Sequence, residues 1–157
     1  MEKDALTFNN LQQVLDDFTK DVAETYKSLL LRDGKNATGE LISSIKPMTP
    51  ELVDGIFECS LSLAPHWKYV ENGRKAGKFP PIDNILDWVK AKPQLARPNR
   101  LDRKELAPKQ LAFLVARKIA TGGIQPGNQL EEAIDIVYTR LKDRIDAAIT
   151  ADIEDIL

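Results

Sequence analysis

Residues 128–156 read "NQLEEAIDIVYTRLKDRIDAAITADIEDI", and the spacing of their apolar side chains decides what kind of domain this is. Ile134, Val137, Leu141, Ile145, Ala148/Ile149, Ile153 and Ile156 recur every three or four residues, which is one face of a helix. Asn128 stands in the N-cap position and Glu131 follows three residues later, the two ends of a capping box. At about 1.5 Å per residue the helix is roughly 40 Å long. A second long helix is written near the start of the chain. Leu11, Leu15, Phe18, Val22, Tyr26 and Leu29 keep the same spacing between residues 4 and 32. Gly34 serves as a left-handed cap, and the polar "RDGKNATG" is loop.

A different period lies between them. Val53, Phe57, Cys59, Leu61 and Leu63 alternate with Asp54, Glu58, Ser60 and Ser62, the period of two that marks a half-buried strand. With "TPEL" at 49–52 as a turn, residues 43–48 and 53–63 pair as a hairpin, and Pro47 confines the first strand to an edge. "APHWKYVENG" suits one or two helical turns with Gly73 past the end. "PIDNILDWVKAK" is a short amphipathic helix with Ile82, Ile85, Leu86 and Val89 on one face, stopped at Pro93. Residues 91–105 read as an exposed basic loop, and Pro108 opens a helix that closes at Gly122-Gly123. The expectation is one α+β domain over residues 1–157. A small antiparallel sheet packs with long N-terminal and C-terminal helices, plus two shorter helices.

Composition narrows the class. The chain has 157 residues, 43% hydrophobic and 29% charged, ordinary values for a soluble globular domain. No apolar run is long enough to span a bilayer. No apolar signal core follows the start, which argues against export. A single Cys excludes an internal disulfide. The net charge of −2 hides a split. Residues 66–118 carry 13 basic and 5 acidic side chains, a net of +8; the remainder carries 9 and 19, a net of −10. Scattered solvated charge is the simple explanation. The other is that the basic part of one copy meets the acidic part of the next.

Chemistry has few footholds. The one His and the one Cys, His66 and Cys59, fit no CxxC, HExxH or DxDxDG pattern. His66 reads as a partly exposed interface or capping residue, and Cys59 as a small core residue. No G-x-S-x-G is present, and Glu58, Glu71, Asp83 and Asp87 form no recognisable acid/base pair. "GRKAGK" ends in Gly-Lys, but neither Ser nor Thr follows Lys78, so it is not a phosphate-binding loop. The expectation is therefore no catalytic residue, no metal and no cofactor. "YVENGRKAGKFPP" at 69–81 remains the least ordinary stretch. Arg74, Lys75 and Lys78 with Trp67, Tyr69 and Phe79 could grip a nucleic-acid backbone and stack on bases. The plainer reading packs the aromatics at the core edge and leaves the cations in water.

Taken in order, "TGELISSI", a strand, "YVENGRKAGKFPP", "ILDWVKAK" and "LAFLVARKIATGGIQPGNQLEEAI" resemble the tail-component (neck, head–tail joining or tail-completion) family of tailed bacteriophages. The residues that carry the resemblance are Gly39, Leu41, Ser44 and Ile45; Tyr69, Val70, Glu71 and Gly73; Trp88; Ala116, Arg117 and Ile119; and Gly123, Ile124 and Pro126. It covers about residues 38–135. The chain departs from the pattern at Arg74, where many members have Thr, and in the length of its 91–105 loop. The resemblance implies a virion structural protein and not an enzyme. It implies a homo-oligomeric ring, a hexamer or dodecamer, at the head–tail junction, made in the host cytoplasm. Portal, adaptor or tail-tube proteins would be its neighbours, DNA would pass through the lumen, and no membrane would be involved. Arg74, Lys75, Lys78, Phe79, Arg97, Arg100 and Arg103 are the expected assembly surface. The alternative is a small nucleic-acid-binding module using the basic 66–118 segment.

Overall fold

The computed structural model describes residues 7–35, 39–92 and 106–157. The elements run α1 (Asn9–Arg32), α2 (Glu40–Ser44), β1 (Lys46–Pro47), β2 (Glu51–Val53), β3 (Ile56–Glu58), β4 (Leu61–Ser62), α3 (Trp67–Asn72), α4 (Ile82–Ala91), α5 (Pro108–Gly122) and α6 (Gln129–Ile156). The α+β class holds, with the two long helices at the two ends of the chain. The residues gather into two compact units: 1–33, 42–64 and 129–157 form one; 34–41 and 65–128 form the other.

In the first unit α1 and α6 lie against each other. Their cross-links show the direction. Asp152 meets Asn10, Arg144 meets Asp17, Arg140 meets Asp21 and Glu132 meets Arg32. The residue numbers of each pair have nearly the same sum, so the helices are antiparallel and in register over most of their length. Val22, Ala23, Tyr26, Leu29 and Leu30 of α1 are buried, as are Ala133, Val137, Leu141 and Ala148 of α6. Alanines 23 and 133, both fully buried, allow the close approach. The rim pairs Arg140–Asp21 and Arg144–Asp17, at 2.8 and 2.9 Å, are solvent-exposed; such pairs fix register more than they add stability.

The first turn of α1 is held from the far end of the chain. Phe8, at its N-cap, makes no side-chain cap, and the turn carries no acid of its own. The buried Asp152 carboxylate supplies both functions. It accepts the Asn10 N–H at 3.0 Å, the Leu11 N–H at 2.8 Å and the Asn10 side-chain amide at 2.9 Å. It thus occupies helix donors that have no intrahelical partner and places negative charge at the positive end of the dipole. Burial alone would push this carboxyl up; the hydrogen bonds from Leu11 and Asn10 outweigh it and hold it below the usual carboxylate range. A depressed folded-state value stabilises the fold above the unfolded carboxyl's range, near pH 3.9, and that contribution disappears as pH falls through the folded value. Acid titration of unfolding should show a steeper loss for the native chain than for Asp152→Asn. Parallel curves would remove Asp152 from the acid response.

The strand region differs from expectation in its turn. Residues 49–52 are not the turn, because Glu51–Val53 is itself a strand. Pairs Glu51↔Glu58, Leu52↔Phe57 and Val53↔Ile56 close at Asp54-Gly55, where φ is 50° and 81°, the geometry of a two-residue primed turn. An outer ladder pairs Lys46↔Ser62 and Pro47↔Leu61, and the Met48 N–H donates to Ser60 O at 2.9 Å. Three residues on one side of the join, 48–50, face two on the other, 59–60, so the hairpin carries a bulge where Pro50 cannot donate. Phe57, Leu61 and Leu63 remain half-buried, as the alternation requires, but Cys59 is exposed rather than in the core because it sits opposite that bulge. Directly after α2, Ile45 is buried, and the Ser44 hydroxyl accepts the Ala64 N–H at 2.9 Å.

In the second unit α4 packs on α5, with Ile85 and Val89 against Ala112 and Ala116. Leu86, Trp88, Leu111, Val115 and Ile119 surround that small core. Ile82, expected on the buried face, is exposed. Gln110 Oε1 accepts the Ala107 N–H at 3.2 Å, which satisfies one donor at the α5 start.

Candidate assembly interface

The 69–81 stretch is built on α3. His66 sits at the helix start, its carbonyl accepting the Tyr69 N–H at 3.0 Å. Gly73 ends the helix at φ 67°, ψ −162°. The chain then runs antiparallel to the segment leaving α5. The Arg74 N–H donates to Ile124 O at 2.9 Å and the Ile124 N–H to Arg74 O at 2.7 Å. On one side of this bridge Gly77 N–H donates to Ala120 O at 2.8 Å. On the other, Glu71 O accepts the Gly127 N–H at 2.9 Å. Two glycines make the crossing. A Cβ on Gly73 would overlap the Ile124 carbonyl oxygen and lie 2.8 Å from Pro126 N. A Cβ on Gly123 would overlap the Arg74 carbonyl oxygen and lie 3.0 Å from Ala76 N. The 69–73 and 123–126 pieces, separated in sequence by an entire helix and more, therefore form one junction.

The junction sorts the expected surface residues. Arg74 is half-buried, and its guanidinium donates to Lys78 O at 3.1 Å, so it closes the loop. Lys75 and Lys78 are exposed. Phe79 is 45% exposed, its ring centroid 5.6 Å from that of Phe113. Arg97, Arg100 and Arg103 lie outside the described residues. Trp88 belongs to the core edge, with Lys92 Nζ 5.2 Å above its ring and that ammonium also donating to Gly34 O at 3.0 Å. Glu71 is buried in this unit. Asn128 directly precedes α6, but at φ 58° it has the left-handed backbone and not the extended one usual for an N-cap.

Sequence periodicity missed two surfaces. Phe113 and Leu114 of α5 are about half exposed; they lie off the face defined by Ala112 and Ala116. Ile149, Ile153 and Ile156 of α6, expected on the buried face, are exposed. Among the described residues, no cluster of His, Cys, Asp or Glu is placed to hold a metal ion. No helix among them is long and apolar enough to cross a membrane. Comparison with protein-family models, with curated proteins and with solved structures returned no match.

Proposed function

We propose that the chain is a structural subunit of a tailed-phage virion, one member of a ring at the head–tail junction through which DNA passes. The observation that supports this reading is the glycine junction. Two of the sequence pieces on which the resemblance rests, 69–73 and 123–126, meet there: the Gly73 backbone lies directly against Ile124, Gln125 and Pro126, and backbone hydrogen bonds at their edges, Arg74 with Ile124 and Gly127 to Glu71, hold the crossing, as parts of one structural module would. The junction leaves Lys75, Lys78 and Phe79 exposed on a loop without an acidic residue. Portal, adaptor or tail-tube proteins are the neighbours such a ring would meet. A ring repeats one heterologous contact until rotation closes it. The test is made in the phage. Particles lacking the chain should accumulate as filled heads beside unattached tails, and labelled chain should lie at the junction in several copies. Normal joining without it, or one copy per particle, overturns the proposal.

The loop itself gives a narrower test. Lys75→Glu with Lys78→Glu should leave the unfolding midpoint within about 0.5 kcal/mol of native, because exposed charges away from special contacts contribute little. The same variant should fail to join heads to tails. Arg74 is left out because its side chain holds the loop. The exposed Tyr69 and Phe79 in the same 69–81 stretch of sequence as the two lysines also favour a second reading, a nucleic-acid-binding module. That reading requires salt-sensitive binding of short DNA that the double variant loses.

A further inference from the structure

Two exposed apolar patches in this chain carry charges that oppose their own helix dipoles, and they do so with opposite signs. The first is at the start of α5. Phe113 and Leu114 are 49% and 46% exposed, and Phe79 leans on Phe113. With Lys109 and Gln110 they line a shallow depression at the first turns of the helix. No acid occupies that first turn, and Lys109 does. The helix contains no Asp or Glu anywhere; its charges are Lys109, Arg117 and Lys118. A positive side chain therefore stands at the positive end of a dipole.

The second patch is at the end of α6. Ile149, Ile153 and Ile156 are exposed at spacings of four and three, one stripe along the helix. No basic residue lies in the last turn. From Ile145 onward the helix has none at all, and Asp146, Glu154 and Asp155 are exposed there. Negative side chains thus stand at the negative end of a 28-residue helix.

Each patch by itself is electrostatically unfavourable, and self-pairing of either would bring like charges together. Pairing one with the other corrects both: acids meet an uncompensated helix start, Lys109 meets an uncompensated helix end, and apolar side chains cover apolar side chains. We infer that the end of α6 in one copy docks on the α5–Phe79 patch of the next, and that this is the repeating head-to-tail contact. The inference rests on the ring reading given above and names the surfaces that make the ring. An arrangement in which each copy offers one patch and receives the other is heterologous, so it propagates around a ring instead of stopping at a dimer.

The experiment has two arms, both on the full chain. In the first, Lys109→Glu and the pair Glu154→Lys with Asp155→Lys are made separately and in one chain, and self-association is followed by sedimentation at low and high salt. Each separate change should weaken association by about tenfold or more, and the combined variant should recover it. The native association should weaken as salt rises. In the second arm Cys59 is replaced by Ser, and Phe113→Cys protein is mixed with Ile153→Cys protein under mild oxidation. Disulfide-linked species should join one of each, with few of the symmetric kind, whatever the charge variants do to folding. Native association with no effect of either charge change, or mainly symmetric cross-links, overturns this contact while leaving the ring intact. A native chain that stays monomeric in solution and is present once per particle overturns the ring reading and this contact together.

Discussion

Replacing Gly123 or Gly73 by Ala is expected to abolish cooperative folding of the 65–128 unit or to lower its midpoint sharply. Both residues lie at φ near 70° with ψ near −165°: Gly73 at 67° and −162°, Gly123 at 70° and −165°. That region is open essentially to glycine alone, and a side chain there costs on the order of 1–3 kcal/mol. The steric term adds to it. The new Cβ at 73 would overlap Ile124 O and stand 2.9 Å from Gln125 C; the one at 123 would overlap Arg74 O. These are main-chain atoms in a hydrogen-bonded bridge, so no rotamer change relieves the overlap. Gly34→Ala is the control. Gly34 has φ 65°, but no atom lies within 4 Å of its Cβ position, so only the left-handed strain of about 1–2 kcal/mol remains. The readout is local: the chain's two tryptophans, Trp67 and Trp88, both lie in this unit. Native-like fluorescence transitions in Gly73→Ala and Gly123→Ala would show that the crossing is dispensable.

That junction marks the boundary of what the sequence could reveal. Gly73 was recognisable as a helix stop, and so was Gly122-Gly123, because each follows a local rule about what ends a helix. That the two stops touch is a tertiary fact with no periodic signature. The same holds for Asp152. On the sequence it is one acid among many in an acidic helix; in the structure it holds the first turn of a helix 141 residues away. Helix existence was legible wherever a long apolar period ran, as in α1 and α6. Strand phase was legible at Phe57, Leu61 and Leu63, but not at Cys59, which the bulge takes out of the alternation. The turn was not, because weight fell on the polar "TPEL" when Asp54-Gly55 carried the stronger two-residue signal. The candidate surface was partly legible. Composition found Lys75, Lys78 and Phe79, but a count of cations could not separate them from Arg74, which turns inward to Lys78 O. The exposure of Phe113 and Leu114 had no sequence sign, because apolar character alone does not reveal which side of a two-helix core a residue faces.

The clearest case is α6, where periodicity assigns Leu141 and Ile153 to one face and therefore predicts similar losses on truncation. The structure separates them. Leu141 is 4% exposed within the α1–α6 seam, and Ile153 is 48% exposed. The buried positions are 133, 137, 141 and 148, with Asp152 continuing the row. Steps of four dominate that row, and each advances about 40° around a helix of 3.6 residues per turn. The antiparallel partner follows this drift, and the isoleucines at 149, 153 and 156 fall to one side of it. Leu141→Ala should therefore cost about 2–5 kcal/mol, the loss expected when a buried leucine leaves a cavity between helices that cannot collapse freely. Phe18→Ala should cost less than a fully buried aromatic would, because Phe18 is only half-buried. Ile153→Ala should stay within about 0.5 kcal/mol in the monomer. Chemical denaturation at low protein concentration, followed by circular dichroism so that the helices are read directly, measures all three. Equal losses at 141 and 153 would mean that Ile153 is covered within the monomer. The reverse pattern, a mild effect at 141, would mean that α1 and α6 are not the core of this unit. If Ile153→Ala is silent at low concentration yet lowers the midpoint once the native chain self-associates, the burial of Ile153 comes from a neighbouring copy. Coupling of stability to protein concentration is what association through that stripe requires.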